Sequence, residues 1–346
     1  MRIPDFIKKG DTIGLAAPSF GVSTEPYITR LEAAVSKFRA LGYNVMMVPS
    51  CMKNLGTCLS NSPEIAAREL MDMYLDDRVD AVISVGGGEL MCETISHVDF
   101  RRLCEAKPKW YMGYSDNTNF IYPMLTLGDV AGIYGPCAPG FGKPWEGTED
   151  LSFSLFEGRE LTLKGFDMFE SPEYDDDDPL RRYHFDTKKE LTLYAPVNGK
   201  LLKTDEVMME GVLSGGCLDI LINLSGTRFD GTQGFLDRHE KVILVMEACD
   251  LTPLDIRRGL WQLRERGWMR NLTGIVFGRP LNAFYMDQFG VDRFTACLPL
   301  LEELRVPVIF DADIGHIDPM VPLIMGADAV VTAKGNDITF DMRRLG

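Results

Sequence analysis

The sequence predicts an α/β fold, with an N-terminal parallel-sheet α/β domain and a second, C-terminal mixed α/β domain. Apolar strand patterns alternate with helical patterns through the first half, which is typical of a parallel sheet covered by helices. Of the 346 residues, 45% are hydrophobic and 25% are charged, as in ordinary globular proteins. At roughly 100–200 residues per domain, this length predicts about two domains.

The first half supplies the parallel sheet. Apolar residues recur at helical spacing between 26 and 41, and Gly42 follows as a helix stop. Ser62 and Pro63 form a capping pair at the start of the next helix. The predicted elements are a strand at 12–18, helix at 26–41, strand at 43–48, helix at about 63–76, and strands at 81–85 and 110–112. Sites in such sheets lie at the carboxyl ends of the strands, where the glycine-rich turns fall.

The rest of the chain divides into two parts. We predict a domain at 1–140, linker and loops at 141–190, and a second domain at 191–346. The aspartates at 175–178 are interpreted as a solvated loop, with a cation site or substrate-facing lid as the alternative. The second domain is predicted to contain strands at 191–194, 242–246, 274–278 and 308–310, helices at about 215–225 and 253–266, and a hairpin of 329–332 with 338–340.

Charge and cysteine usage exclude several classes of protein. The chain has 36 Lys and Arg against 51 Asp and Glu, a net charge of −15, which argues against a nucleic-acid polymer as partner. It has no run of 18 apolar residues and no signal peptide, so neither a membrane segment nor export is expected. The eight cysteines form no CxxC pair. We therefore expect reduced core thiols, no zinc site and a cytoplasmic location.

The most informative segment runs from Lys109 to Phe120. An apolar strand ends at Gly113, Ser115 follows two residues later, and helix-capping residues come next. This is the context of a nucleophile elbow, in which a sharp turn exposes the serine hydroxyl and the N–H of Asp116 faces a developing oxyanion. The match is partial, because Asn117 stands where the common motif has a second glycine. The alternative is an ordinary strand-to-helix turn with Ser and Asp as caps.

A serine nucleophile needs a base, and the base needs an orienting acid. The candidate base is His316, in the loop after the strand at 308–310, although a lone histidine there can also be a surface residue. The candidate acid is Glu247, which ends an apolar strand and can alternatively be a solvated strand end. The remaining histidines are interpreted as packing or surface residues: His97, His184 and His239. The chain order Ser, Glu, His is that of α/β-hydrolases.

Glycines 86–88 end another strand. They allow close backbone approach and offer N–H donors for an oxyanion or a phosphate. No Gly-Lys-Ser/Thr follows, so the phosphate signal is weak, and a plain tight turn is the alternative. In the loop-rich middle, Trp145 is interpreted as a packing residue, with stacking on a ligand's aromatic group as the alternative.

Together these segments resemble the LD-carboxypeptidase family of serine peptidases, which includes murein tetrapeptide LD-carboxypeptidases and the microcin C immunity peptidase. The resemblance runs from about 8 to 340. It rests on the blocks Gly10–Ser19, the Gly-Gly turn with Asp99-Phe100, Gly113–Asp116, Gly211 with Gly215-Gly216, Gly226-Thr227, Glu247, Gly278-Arg279 and Gly315-His316.

The resemblance implies a two-domain α/β protein whose active site lies between the domains. It implies Ser115 as nucleophile, His316 as base and Glu247 as orienting acid. The oxyanion hole would come from the backbone N–H groups of Asp116 and Gly87. It further implies amide hydrolysis through an acyl-enzyme, without metal or cofactor, on a small peptide or peptidyl nucleotide, by a homodimer.

Several positions depart from the family's pattern. The family often has Asn after Gly215-Gly216, where this chain has Cys217, and murein-cleaving members usually have Arg where it has Val85. Glu89 and Cys92 alter a further position. We expect Gly86 and Cys217 to contact substrate. The departures leave open a ligand-binding or regulatory protein without turnover and, more weakly, a phosphate-binding transferase that uses the turn at 86–88.

Overall fold

The structure is a computed structural model that describes residues 1–56, 58–172 and 177–344. The chain forms two compact units. The first comprises Met1–Glu160 and Asp175–Tyr183, and the second comprises Leu161–Tyr174 and His184–Gly346. The α/β class and the mixed second half are as the sequence predicts.

The first unit is built on a parallel sheet in the order β5-β4-β3-β1-β2. Its regular elements are β1 (Thr12–Ala16), α1 (Tyr27–Ala40), β2 (Asn44–Met47), α2 (Pro63–Leu75), β3 (Ala81–Ser84), α3 (Met91–Ile95), α4 (Phe100–Glu105), β4 (Trp110–Gly113), α5 (Thr118–Gly128), β5 (Gly132–Tyr134) and α6 (Thr148–Phe156). Short 3-10 helices lie at Pro49–Met52, Ser115–Asn117 and Ala138–Gly142.

Local sequence explains these elements. The inward face of α1 carries Leu31, Ala34, Val35 and Phe38, all buried. The helix α2 begins as predicted, with the Ser62 side chain accepting a hydrogen bond from the N–H of Ile65 and Pro63 in the first turn. Because β1, β3 and β4 are parallel neighbours, the turns that follow them lie at the same edge of the sheet.

The region at 141–190 differs from the linker that the sequence predicts. It contains α6, which packs into the first unit through Phe153 against Phe38 and Tyr43. It also contains three short strands, namely β6 (Thr162–Lys164), β7 (Met168–Glu170) and β8 (Phe185–Lys188). These elements were not predicted, because each is too short to show a clear hydrophobic periodicity. Asp175 and Asp176 lie outside the described residues, and the exposed Asp178 accepts a hydrogen bond from the N–H of Leu180.

The second unit has a mixed sheet in the order β10-β9-β14-β13-β12-β11-β16-β17-β6. Its four central strands, β11 to β14, are parallel, and the outer pairs are antiparallel. The remaining elements are β9 (Thr192–Val197), β10 (Lys200–Thr204), β11 (Glu206–Cys217), α7 (Leu218–Leu224), α8 (Thr232–Arg238), β12 (Val242–Glu247), α9 (Pro253–Glu265), β13 (Leu272–Gly278), α10 (Arg293–Leu301), β14 (Val308–Ala312), β15 (Leu323–Met325), β16 (Asp328–Lys334) and β17 (Asp337–Arg344). The predicted C-terminal hairpin is confirmed as β16 and β17.

The predicted start of the helix near 215 is wrong. Residues Gly215 to Cys217 instead end the long strand β11, and α7 begins at Leu218. The two glycines, Gly215 and Gly216, have φ values of 132° and 139°, which favour glycine and do not fit a helix. As a result, Cys217 lies beside Glu247 in the register of β11 and β12.

Within the described part of the chain, no helix has both the length and the apolar character needed to cross a membrane.

Candidate active site

The first unit contains the predicted elbow. The strand β4 ends at Gly113, Ser115 opens a short 3-10 helix, and α5 follows from Thr118. Ser115 has a φ of 60°, in the left-handed region that a non-glycine residue rarely adopts. Its backbone N–H donates to the hydroxyl of Tyr134, at 3.1 Å. Strain of this kind concentrates at functional sites, and here it falls on the predicted nucleophile.

The glycine turn lies directly against this elbow. A Cβ placed on Gly87 would be 3.2 Å from the Cβ of Ser115 and 3.4 Å from its Oγ, so a side chain at position 87 would crowd the serine. The carbonyl of Gly87 accepts from the N–H of Phe20, at 2.9 Å, which fixes the turn from its other side. Gly86, Gly87, Ser115 and Asp116 therefore form one cluster.

The side chain of Asp116 has a structural role in addition to the oxyanion role predicted for its backbone N–H. Its fully buried carboxylate accepts hydrogen bonds from the Ser19 hydroxyl, the Met91 N–H (2.9 Å) and the Asn119 amide (2.7 Å). Burial raises the pKa of this carboxyl group, and the three donors oppose that rise. The acid thus links the turn after β1, the start of α3 and α5, around the elbow. The Pro-Ser turn at 18–19 was the sequence signal for this contact.

The second unit brings the predicted acid and base together. The Nδ1 atom of His316 lies 2.8 Å from Oε2 of Glu247. Glu247 is 2% exposed at the end of β12. Two glycines make room for it: a Cβ on Gly278 would lie 2.9 Å from the Glu247 Cβ, and one on Gly315 would lie 2.6 Å from Oε2. The backbone also favours glycine at both positions, because a Cβ on Gly278 would collide with the Ile314 carbonyl and Gly315 has a φ of 103°.

The pKa of His316 is governed by its surroundings. Burial lowers it, but the Glu247 carboxylate and the Cys249 thiol raise it by more, so it ends well above its usual value. A carboxylate that accepts the Nδ1 proton also fixes the tautomer, which leaves Nε2 as the atom that can take a proton from a substrate or nucleophile. This is the arrangement that a general base needs.

A buried ionic cluster anchors the loop that carries His316. The Asp313 carboxylate contacts Arg279 (Nη1–Oδ1, 2.6 Å) and Lys189 (Nζ–Oδ2, 3.1 Å). Nη2 of Arg279 donates to the carbonyls of Ile317 (3.1 Å) and Pro319 (3.2 Å). Arg279 therefore holds the loop on both sides of His316. This role was not predicted from the sequence.

Cys217 and Cys249 flank the acid. Cys217 is buried, and its Sγ lies 3.4 Å from Oδ2 of Asp219. The same carboxylate accepts the N–H of Cys249 (3.0 Å) and of Asp250 (2.9 Å), which fixes the segment after Glu247. A substrate contact for Cys217 stays a prediction.

The other predicted residues lie in plain structural settings. Trp145 packs on Phe141 and Phe153, and its Nε1–H donates to the Phe141 carbonyl, at 2.9 Å. His97 and His184 are exposed, and the ring of His239 packs against Phe235. All eight cysteines, each within the described residues, are free thiols; four of them are buried.

The first unit contains a strained serine at a strand-to-helix turn, and the second contains a histidine oriented by a buried carboxylate. Serine hydrolases use groups of both kinds. Two family models match the chain. The LD-carboxypeptidase N-terminal domain matches residues 13–135, and the LD-carboxypeptidase C-terminal domain matches residues 210–331. The chain belongs to the LD-carboxypeptidase family and is a serine carboxypeptidase-type hydrolase.

Curated relatives match over nearly their whole length. One, from Bacillus subtilis, bears the name "Probable murein peptide carboxypeptidase"; it is 25% identical over 333 residues, which are 95% of this chain and 91% of the relative. A second, from Streptomyces coelicolor, bears the name "Putative carboxypeptidase SCO6489" and is 25% identical over 98% of this chain and 96% of its own.

Solved structures share the fold. An MccF-like protein from Bacillus anthracis has a TM-score of 0.78 at 21% identity, covering 99% of this chain and 100% of its own. The microcin C7 self-immunity protein MccF, in complex with aspartyl sulfamoyl adenosine, has a TM-score of 0.76 at 18% identity, covering 99% of each chain.

Proposed function

We propose that this chain hydrolyses an amide bond in a small peptide conjugate through a triad of Ser115, His316 and Glu247. The observation that carries the proposal is the contact between His316 Nδ1 and the buried Glu247, at 2.8 Å. It supplies an oriented base, and the strained Ser115 supplies the nucleophile. The triad requires Ser115 to meet residues of the other unit when substrate is bound.

In the proposed reaction, Nε2 of His316 takes the proton of Ser115 as Oγ attacks the amide carbonyl. The tetrahedral oxyanion accepts hydrogen bonds from the N–H groups of Asp116 and Gly87. The imidazolium, stabilised by Glu247, then protonates the leaving amine, and an acyl-enzyme remains on Ser115. Water, deprotonated by His316, releases the acid product. These steps need no metal or cofactor.

The substrate class is proposed from the relatives. Their names point to murein peptides and to aminoacyl sulfamoyl nucleosides, so a muropeptide with a terminal D-residue and a peptidyl nucleotide are the two forms to test. We also propose that the enzyme works in the cytoplasm as a homodimer. The free thiols fit a reducing compartment, and sedimentation of the purified chain tests the dimer.

The decisive experiment compares the wild-type chain with Ser115→Ala. Purified protein is incubated with muropeptide tetrapeptides and with aminoacyl sulfamoyl adenylates, and products are followed by mass spectrometry. We expect the replacement to lower kcat by a factor on the order of 10⁴ to 10⁶, because the nucleophile is removed. Ser36→Ala, at an exposed serine of α1, is the matched control and should keep full activity.

Covalent labelling separates an enzyme from a ligand-binding protein. A fluorophosphonate should add one adduct to the wild type and to Ser36→Ala but none to Ser115→Ala, since only an activated serine reacts readily. Full hydrolysis by Ser115→Ala, or an unlabelled wild type, would refute the proposal.

A further inference from the structure

Asn117 is the residue at which this chain departs from the common elbow motif, and its side chain is fully buried. Its amide nitrogen donates to two backbone carbonyls, those of Gly86 and Tyr114, each at 3.0 Å. Its amide oxygen accepts a hydrogen bond from the Tyr111 hydroxyl, at 2.5 Å. A planar amide with both of its N–H donors and its oxygen engaged has little freedom to turn.

The two carbonyls belong to different segments of the first unit. Gly86 lies in the glycine turn after β3, and Tyr114 directly precedes the nucleophile after β4. One side-chain amide therefore joins the two segments that carry the proposed oxyanion donors. The Ser84 hydroxyl also donates to the Gly86 carbonyl, at 2.9 Å, so this carbonyl has two donors.

The surrounding packing is built around this side chain. A Cβ on Gly113 would lie 2.7 Å from Cγ of Asn117, so the last residue of β4 must be glycine for the amide to fit. The Sγ of Cys137 lies 3.6 Å from the amide nitrogen and closes the site from another side. A glycine at 117, as in the common motif, would remove the side-chain hydrogen bond to the Gly86 carbonyl.

We propose that Asn117 is a positioning residue that holds the Gly86-Gly87 turn against the Ser115 elbow and so sets the geometry of the oxyanion hole. The inference rests on the proposed function, since it concerns the donors for the oxyanion. Asn117 touches neither the nucleophile's hydroxyl nor the substrate in this role. It acts through the backbone of Gly86 and Tyr114.

The test uses Asn117→Ala and the isosteric Asn117→Asp, whose carboxylate cannot donate to the two carbonyls. Thr126→Val is the matched control: Thr126 is 1% exposed on α5, and its hydroxyl donates to the Tyr122 carbonyl, at 2.9 Å. Three measurements are made on full-length protein: kcat and KM, the rate of fluorophosphonate labelling, and hydrogen–deuterium exchange of the peptide that contains residues 84–89.

For both Asn117 variants we expect kcat and the labelling rate to fall by about 10- to 100-fold, with KM changed by less than about twofold. Exchange at 84–89 should rise in Asn117→Ala and stay unchanged in Thr126→Val. A purely structural role would lower thermal stability in all three variants without this split between kcat and KM.

Unchanged exchange at 84–89 in Asn117→Ala would overturn the inference. Raised exchange with an unchanged labelling rate would also overturn it, as would an equal loss of labelling in the control Thr126→Val. These outcomes leave the proposed function intact, because the wild type is still labelled. If the wild type is not labelled, the proposed function fails and the oxyanion role of Asn117 fails with it, while the exchange result still decides whether Asn117 fixes the turn.

Discussion

The elbow in the first unit and the His316 loop in the second unit hold their reactive groups by different means. Around Ser115 the structure uses backbone strain and hydrogen bonds, namely those of Asn117, Tyr134 and the buried Asp116 carboxylate. Around His316 it uses charge: the Glu247 carboxylate at Nδ1 and the buried contacts of Asp313 with Arg279 and Lys189. Position is thus fixed mainly by conformation in one case and by electrostatics in the other.

This difference bears on how each half responds to change. The side-chain amide of Asn117 does not titrate, so its contribution to the elbow should be insensitive to pH. The pair of His316 and Glu247 titrates, and its charge couples the base to stability and to rate. Changes at Glu247 should therefore alter the pH profile, and changes at Asn117 should not.

Among the changes that test this comparison, the largest effect is expected for Glu247→Gln, which keeps the size of the side chain and removes its charge. We expect kcat to fall by a factor on the order of 10³ to 10⁴, since the amide does not hold His316 in the productive tautomer. Because the carboxylate raises the pKa of His316, the rising limb of kcat/KM against pH should also move to lower pH.

The measurement is a pH–rate profile of both proteins, with Glu206→Gln, at an exposed glutamate of β11, as control. In the wild type the limb should lie well above pH 6.5, the usual histidine value. The same raised pKa means that protonated His316 stabilises the fold below the unfolded value and that this stabilisation is lost as pH rises through the folded pKa. If the rising limb does not move in Glu247→Gln, the Glu247 carboxylate does not control the pKa of His316.

The next effect concerns the anchor of the base loop. Arg279→Met removes a fully buried cation from Asp313 and from the two carbonyls beside His316. We expect the free energy of unfolding to fall by about 3–5 kcal/mol, as when one partner of a buried pair is lost. Urea unfolding checks this.

The control for this prediction is Arg258→Met, because Arg258 pairs with Asp255 on the exposed surface of α9. Its free energy of unfolding should change by no more than about 0.5 kcal/mol. Equal losses in the two variants would mean that the buried cluster contributes no more than a surface pair.

The smallest effect is expected for Cys249→Ala. The Cys249 thiol interacts with the His316 ring and raises its pKa, but the Glu247 carboxylate contributes more. The rising limb should therefore move to lower pH by less than in Glu247→Gln, with kcat on the plateau changed by less than about tenfold. A larger shift than that of Glu247→Gln would mean that Cys249 raises the pKa of His316 more than Glu247 does. Cys104→Ala, at a partly buried thiol of the first unit, is the control.

Much of the fold followed from local patterns. In the first half, β1, α1, β2, α2, β3 and β4 were predicted, because their apolar periodicity is strong and caps such as Ser62 mark their starts. The short elements α3, α4 and β5 were not predicted. The short elements between 141 and 190 were missed, since three-residue strands such as β6 and β7 carry too little periodicity to detect. The helix start near 215 was misplaced because paired glycines can also lie in a strand.

By itself, the sequence determined the α/β class, the elbow at Ser115 and the two strand ends that carry Glu247 and His316. These features are written in runs of neighbouring residues, where periodicity, turns and motif spacing act. Only the tertiary structure decided that His316 meets Glu247 at 2.8 Å, that Gly278 and Gly315 make room for that carboxylate, and that Asn117 joins the Gly86 turn to the elbow. Those contacts join residues from different strands, and no local pattern encodes a distance across a sheet.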